Sequence, residues 1–108
     1  YSPFDLIICD APCTGSGTWS RTPEQLYFFK EEKIEYYAGL QKKIAVNAIK
    51  ALKKGGHLLY ITCSVFKKEN ENIVEYLQQN TSLQLKSMRY FKGYDKQADT
   101  LFTALFTL

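Results

Sequence analysis

Residues 4–17 read FDLIICDAPCTGSG, an apolar run that ends on an acid, a proline, a thiol and two glycines. From Phe4 to Cys9 only Asp5 is polar, so both faces of the predicted strand are expected to be buried, as in a parallel sheet flanked by helices. Asp10 ends the strand, and Pro12, Gly15 and Gly17 make the following stretch a loop with permissive backbone positions. A second apolar run, HLLYITC at 57–63, finishes in the same manner on Cys63 and Ser64.

Between the two runs the spacing is helical. TPEQ at 22–25 supplies a start: Thr22 as cap, Pro23 at the first helical position and Gln25 where a capping box needs it. Helical character then continues to Lys54 with a break near 30–33. Tyr37, Leu40, Ile44, Ala45, Ala48, Ile49 and Leu52 form its apolar stripe, and Gly55 or Gly56 stops it. KKENENIVEYLQQN at 67–80 predicts a shorter helix, with Ile73, Val74 and Leu77 inward and Glu69 and Glu71 near its positive end. SLQLKSM at 82–88 reads as a half-exposed edge strand, and LFTALFTL at 101–108 as a closing strand with Phe102, Ala104 and Phe106 on one face.

This order predicts an α/β sheet: two right-handed crossovers, then a hairpin that adds one antiparallel strand. The strand pattern begins at Phe4 with almost no lead-in, and four strands alone leave the first strand's outer edge bare. Both features read as a piece of a longer protein.

Composition narrows the function classes. Of 108 residues 45% are hydrophobic and 23% charged, which excludes a disordered chain. A net charge of +3 permits an anionic partner such as RNA without demanding one, and the lysine pairs at 42–43, 53–54 and 67–68 read first as solvated surface. The three cysteines are an odd number, in a chain with no secretory-type leader and no apolar run of membrane length. A reducing, cytoplasmic setting is therefore expected.

In open α/β sheets reactants bind beyond the carboxyl ends of the parallel strands. Asp10 and Cys13 follow one strand there, and Cys63 and Ser64 follow the other, so neighbouring strands would overhang one crevice with two thiols. An ionised thiol adds reversibly to an electron-poor carbon such as C6 of a pyrimidine, which makes C5 nucleophilic towards a sulfonium methyl donor. The chemistry wants a nucleophilic thiol, a second group that assists proton removal or release, and an acid near ring N3 or the exocyclic amine. Cys63, Cys13 and Asp10 could fill those roles, although either thiol alone is equally readable as a small buried hydrophobe. Cys9 alternates away from Asp10 and reads as core; His57 reads as structural; Arg21 reads as surface or as an anion contact. Other chemistries fit less well: GSG lacks a dinucleotide fingerprint, no GxxxxGK loop exists, and no second cysteine follows the PC pair at deaminase spacing. No metal site is expected.

Together these pieces resemble the carboxyl-terminal part of an RNA cytosine-C5 methyltransferase of the NOL1/NOP2/Sun (Fmu) family. The matching stretches are DAPCTGSG at 10–17, SRTP at 20–23, Gln41, LKKGGHLLYITCS at 52–64, KENE at 68–71 and, more loosely, ADTLFTALF at 98–106. The resemblance implies the carboxyl-terminal half of a Rossmann-like, S-adenosylmethionine-dependent fold acting on rRNA or tRNA, with residues 1–108 as one part of the catalytic domain. It implies Cys63 as covalent nucleophile, Cys13 in product release and Asp10 on the target cytosine, which settles a choice between thiols that the chemistry leaves open. Pro12 would shape the pocket, and Arg21 and Ser64 would face the RNA. Two departures stand out. The family's glycine-rich loop and donor-holding acids lie upstream of the DAPC strand, leaving Asp10 as the one cofactor candidate here, and the closing DGFF is replaced by Asp99-Thr100-Leu101-Phe102. The isolated chain is accordingly expected to be inactive; the alternative is a non-catalytic RNA-binding or assembly module.

Overall fold

The computed structural model describes residues 4–18, 29–91 and 100–108. The expected helix start at Thr22–Gln25 and the candidate Arg21 lie outside the described residues. Six main elements follow one another: β1 (Phe4–Asp10), α1 (Glu32–Ile49), β2 (Leu52–Thr62), α2 (Glu71–Asn80), β3 (Gln84–Phe91) and β4 (Leu101–Thr107). Short 3-10 turns at Ser16–Thr18 and Lys67–Glu69 follow the two thiol-bearing strands.

The strands form one sheet in the order β1-β2-β4-β3. β1 runs parallel to β2, and β4 lies between β2 and β3, antiparallel to both. The single antiparallel member is therefore inserted beside β2. In the register, Cys9 sits opposite Tyr60 and Tyr60 opposite Ala104, and the strand period of two lines up one buried face. Tyr60, Leu58, Phe102, Ala104 and Phe106 on that face are all fully buried. The helices cover it, α1 through the small side chains Ala38 and Ala45 and α2 through Ile73, Val74 and Leu77.

Two expectations are corrected. First, β1 is not buried on both sides. Cys9 is in the core, but Leu6 and Ile8 are 54% and 60% exposed on the opposite face, and Phe91 and Leu101 extend that uncovered apolar face. An all-apolar strand carries no mark that tells a covered face from one awaiting cover. Second, the helix stops at Ile49 instead of continuing to Lys54, and β2 begins at Leu52, not at His57. Phe4 pairs with Leu52 and Leu6 with His57, so Lys53 to Gly56 bulge out of the ladder. Gly55 takes φ +84° there, and its N–H donates to the Leu108 carbonyl at 2.7 Å; it shapes a bulge rather than a helix end.

Candidate active site

The two loops that follow β1 and β2 come together at the carboxyl ends of their strands. Pairing of Asp10 with Ile61 and a hydrogen bond from Ala11 N to the Ile61 carbonyl (3.0 Å) bring the start of the first loop beside the end of β2. Gly17 N–H then donates to the Cys63 carbonyl at 2.7 Å, and Gly17's own carbonyl accepts from Thr100 N at 2.9 Å. A Cβ at residue 17 would stand 2.4 Å from the Thr100 oxygen and 2.7 Å from the Cys63 oxygen, so the close approach requires glycine.

Held this way, Cys13 Sγ and Cys63 Sγ lie 3.4 Å apart, both half-buried, in the reduced form. A shared hydrogen bond with Cys63 and, after it, burial push the Cys13 thiol well above the ordinary thiol value. Backbone N–H groups of Cys63 and Gly15 pull the other way without prevailing. The two sulfurs share this hydrogen bond, and either of them can donate it. Cys9, the third thiol, is buried in the core and likewise pushed up by burial and by Asp10.

Beneath the thiols lies a buried polar network. Glu69 is fully buried, and its Oε1 accepts from Thr14 N (2.8 Å) and Gln41 Nε2 (3.2 Å). Its Oε2 accepts from Thr14 Oγ1 (2.8 Å) and, in a short bond, from Ser64 Oγ. Gln41 Nε2 also donates to the Pro12 carbonyl at 2.9 Å. Asn70 accepts from Thr62 Oγ1 at 2.5 Å and donates to the Ser64 carbonyl at 2.7 Å and to Tyr90 Oη at 3.0 Å. Tyr60, rooted in the apolar layer, donates to the Glu69 carbonyl at 2.8 Å, and burial raises its phenol far above the usual range.

The sequence candidates therefore separate. Cys13 and Cys63 meet. Asp10 ends β1 exposed to solvent, next to the loop, and Pro12 is exposed with its carbonyl held by Gln41. Ser64, expected to face the RNA, is fully buried and spends its hydroxyl on Glu69. Glu69, read as a helix-end charge, is the hub that sequence reasoning missed. The available signal was Gln41: a polar side chain at helical spacing between Ala38 and Ala45 must have a buried partner.

No metal-binding group of His, Cys, Asp and Glu occurs among the described residues, and none of their helices is long and apolar enough to cross a membrane. Of the two acids at this edge, Asp10 is free to face a ligand, whereas Glu69 is filled by protein donors.

The profile of the 16S rRNA methyltransferase RsmB/F family matches residues 2–105. The chain belongs to this family. Ribosomal RNA small subunit methyltransferase F of Shewanella oneidensis is 36% identical over 99 residues, a stretch covering 89% of this chain and 21% of that protein. The chain thus spans about a fifth of the length of such curated RsmF relatives. Among solved structures, PH0851 superposes with a TM-score of 0.88 at 32% identity, covering 96% of this chain and 26% of that one. NSun6 from Pyrococcus horikoshii, solved with SFG, gives 0.83 at 26% identity, covering 98% and 30%. The fold is accordingly the mixed four-stranded part of a methyltransferase of the RsmB/F (NOL1/NOP2/Sun) RNA m5C group.

Proposed function

We propose that residues 1–108 are the carboxyl-terminal part of a Rossmann-like catalytic domain that methylates carbon 5 of cytosine in rRNA or tRNA. The observation that carries this reading is the 3.4 Å approach of two reduced thiols at adjacent strand ends. Structural cysteines gain nothing from such a pairing in a half-open loop, whereas pyrimidine addition and release uses both.

In this reading Cys63 adds as thiolate to C6 of cytosine, forming an S–C6 bond and making C5 the nucleophilic carbon. S-adenosylmethionine, the family's donor, supplies the methyl group; this stretch offers it Asp10 alone, so the chemistry residues 1–108 provide is confined to the base. The C5 proton then leaves to a base, the C5=C6 double bond re-forms, and the S–C6 bond breaks to return the thiolate. Cys13, held protonated at hydrogen-bond distance from that sulfur, assists the departure. Asp10 engages the N3 and amine edge of the base from the open end of β1, with Pro12 shaping the rim. Arg21, one of the undescribed residues, is assigned to the RNA backbone. Extruding the base from a helix costs a few kcal/mol, on the order that a mildly basic surface can offset.

The test uses the full-length protein with methyl donor and cellular RNA. Cys13→Ala should accumulate a covalent protein–RNA adduct that survives denaturation, and Cys63→Ala should form none. An adduct that persists in Cys63→Ala would sink the assignment of roles. RNA binding untouched by either substitution, with no methyl transfer by the wild type, would instead make this a non-catalytic RNA-binding module.

A further inference from the structure

The buried network has a layout that the thiol chemistry alone does not explain. Each thiol is bracketed by its chain neighbours. Cys13 lies between Pro12, whose carbonyl is held by Gln41, and Thr14, whose N–H and hydroxyl are both held by Glu69. Cys63 lies between Thr62, whose hydroxyl is bound to Asn70, and Ser64, whose carbonyl is bound to Asn70 and whose hydroxyl is bound to Glu69. The two brackets meet in adjacent residues of one chain segment, Glu69 and Asn70, where the 3-10 turn passes into α2.

Two further facts say that this arrangement serves geometry. Glu69 and Asn70 are both completely buried, so neither side chain can touch an RNA or a donor. Gln41 is buried at a cost: its Oε1 has no hydrogen-bond partner among the described residues, a loss generally worth about 1–3 kcal/mol. An apolar side chain there would spare that loss, and what the glutamine provides in exchange is a grip on both Pro12 and Glu69.

We infer that Glu69, with Asn70, is the positioning residue that sets the separation and relative orientation of the two thiols. It acts as a clasp, one carboxylate gripping the residue that follows each cysteine. The inference rests on the reading of Cys13 and Cys63 as a catalytic pair, and it adds to that reading a fixed support which stays out of contact with substrate. Because a displacement of about 1 Å in a reacting group can cost about a hundredfold in rate, the clasp would show in turnover and not in binding.

The substitution to make is Glu69→Gln in the full-length protein. Glutamine keeps the shape and the acceptor oxygen for Thr14 N and Gln41, but its amide nitrogen cannot accept from the Thr14 and Ser64 hydroxyls, so the grip on the residue after each cysteine is lost while the fold should survive, which a melting curve checks. Three outcomes are expected. kcat for RNA methylation falls by about a hundredfold with KM for RNA unchanged. The pH profile of thiol alkylation by iodoacetamide, read residue by residue by mass spectrometry, changes at both Cys13 and Cys63. Glu69→Ala produces both changes more strongly. Alkylation profiles for Cys13 and Cys63 that match the wild type in a folded Glu69→Gln protein would overturn the clasp. A wild-type protein that transfers no methyl group, while Glu69→Gln still shifts the thiol profile, would leave the clasp standing and remove the RNA reading beneath it.

Discussion

The interior of this molecule changes character along the direction of its strands. Under the middle of α1 and α2 it is hydrocarbon: Leu58, Phe106, Ile73 and Leu77 meet with no polar atom to satisfy. Towards the carboxyl ends of β1 and β2, equally buried positions hold Gln41, Thr62, Ser64, Glu69 and Asn70. The first region stabilises in proportion to the apolar area it removes from water and accepts many packings. The second gains little net free energy per bond and leaves few alternatives, because its buried donors and acceptors, Gln41 Oε1 aside, are committed to specific partners. Stability is concentrated in one, and geometry in the other. Tyr60 joins them, its ring against Phe102 in the apolar layer and its hydroxyl on the Glu69 carbonyl.

The comparison can be broken most forcefully from the hydrocarbon side. Phe106→Ala should lower the unfolding free energy by about 3–5 kcal/mol, measured by urea denaturation. Below its midpoint it should leave the relative labelling of Cys13 and Cys63 as in the wild type. Selective disturbance of the thiols by this substitution would show that the two regions are not separable.

A smaller effect is expected where the loops cross. Gly17→Ala places a methyl group 2.4 and 2.7 Å from two backbone oxygens, so the backbone of one loop must shift to admit it. The cost should be about 1–3 kcal/mol, less than for Phe106→Ala, yet here the labelling of Cys63 should change, because its carbonyl is one of the two oxygens. The same thiol-labelling experiment distinguishes the two variants.

The mildest test is alkaline titration. Cys9, Cys13, Tyr60 and Tyr90 all hold their protons more firmly in the folded state, Tyr90 being pushed up to about 12 chiefly by burial. A folded value raised above the unfolded one means that the native chain binds more protons between the two, so stability falls there as pH rises. Their contributions are complete below the ordinary thiol value of 9.0 and are lost progressively above it, with Tyr90 adding its share between 10.0 and about 12. Melting temperatures across that range should decline, and Tyr90→Phe should flatten the upper part of the curve.

Much of this could be read from the residues, for reasons that also explain the failures. The alternation of Phe102, Ala104 and Phe106, the inward face of the second helix and the two strand-end thiols are local periodicities, and they stand as expected. The start of β2 was obscured because LeuLysLysGlyGly follows an apolar stripe at helical spacing; only its pairing with β1 and with Leu108 makes it a bulged strand. The uncovered face holding Leu6 and Ile8 is not legible in the strand itself, because covering is a property of its neighbours. By sequence Glu69 reads as a helix-end charge, since acids are common there and almost never fully buried unless paired. Its partners stand 55 positions back at Thr14, 28 back at Gln41 and 5 back at Ser64, and no local pattern announces them.

The contact at Gly17 has a consequence for the order in which the molecule can be finished. Its amide fixes the loop to the carbonyl of the second thiol, and its carbonyl fixes the loop to Thr100, at the threshold of the closing strand. A chain emerging from the ribosome has made both cysteines long before it makes that threonine. Until that threonine is made, the loop lacks this one tie, and the sulfurs rest on the bonds that run from their neighbours to Glu69 and Asn70, all complete some thirty residues earlier.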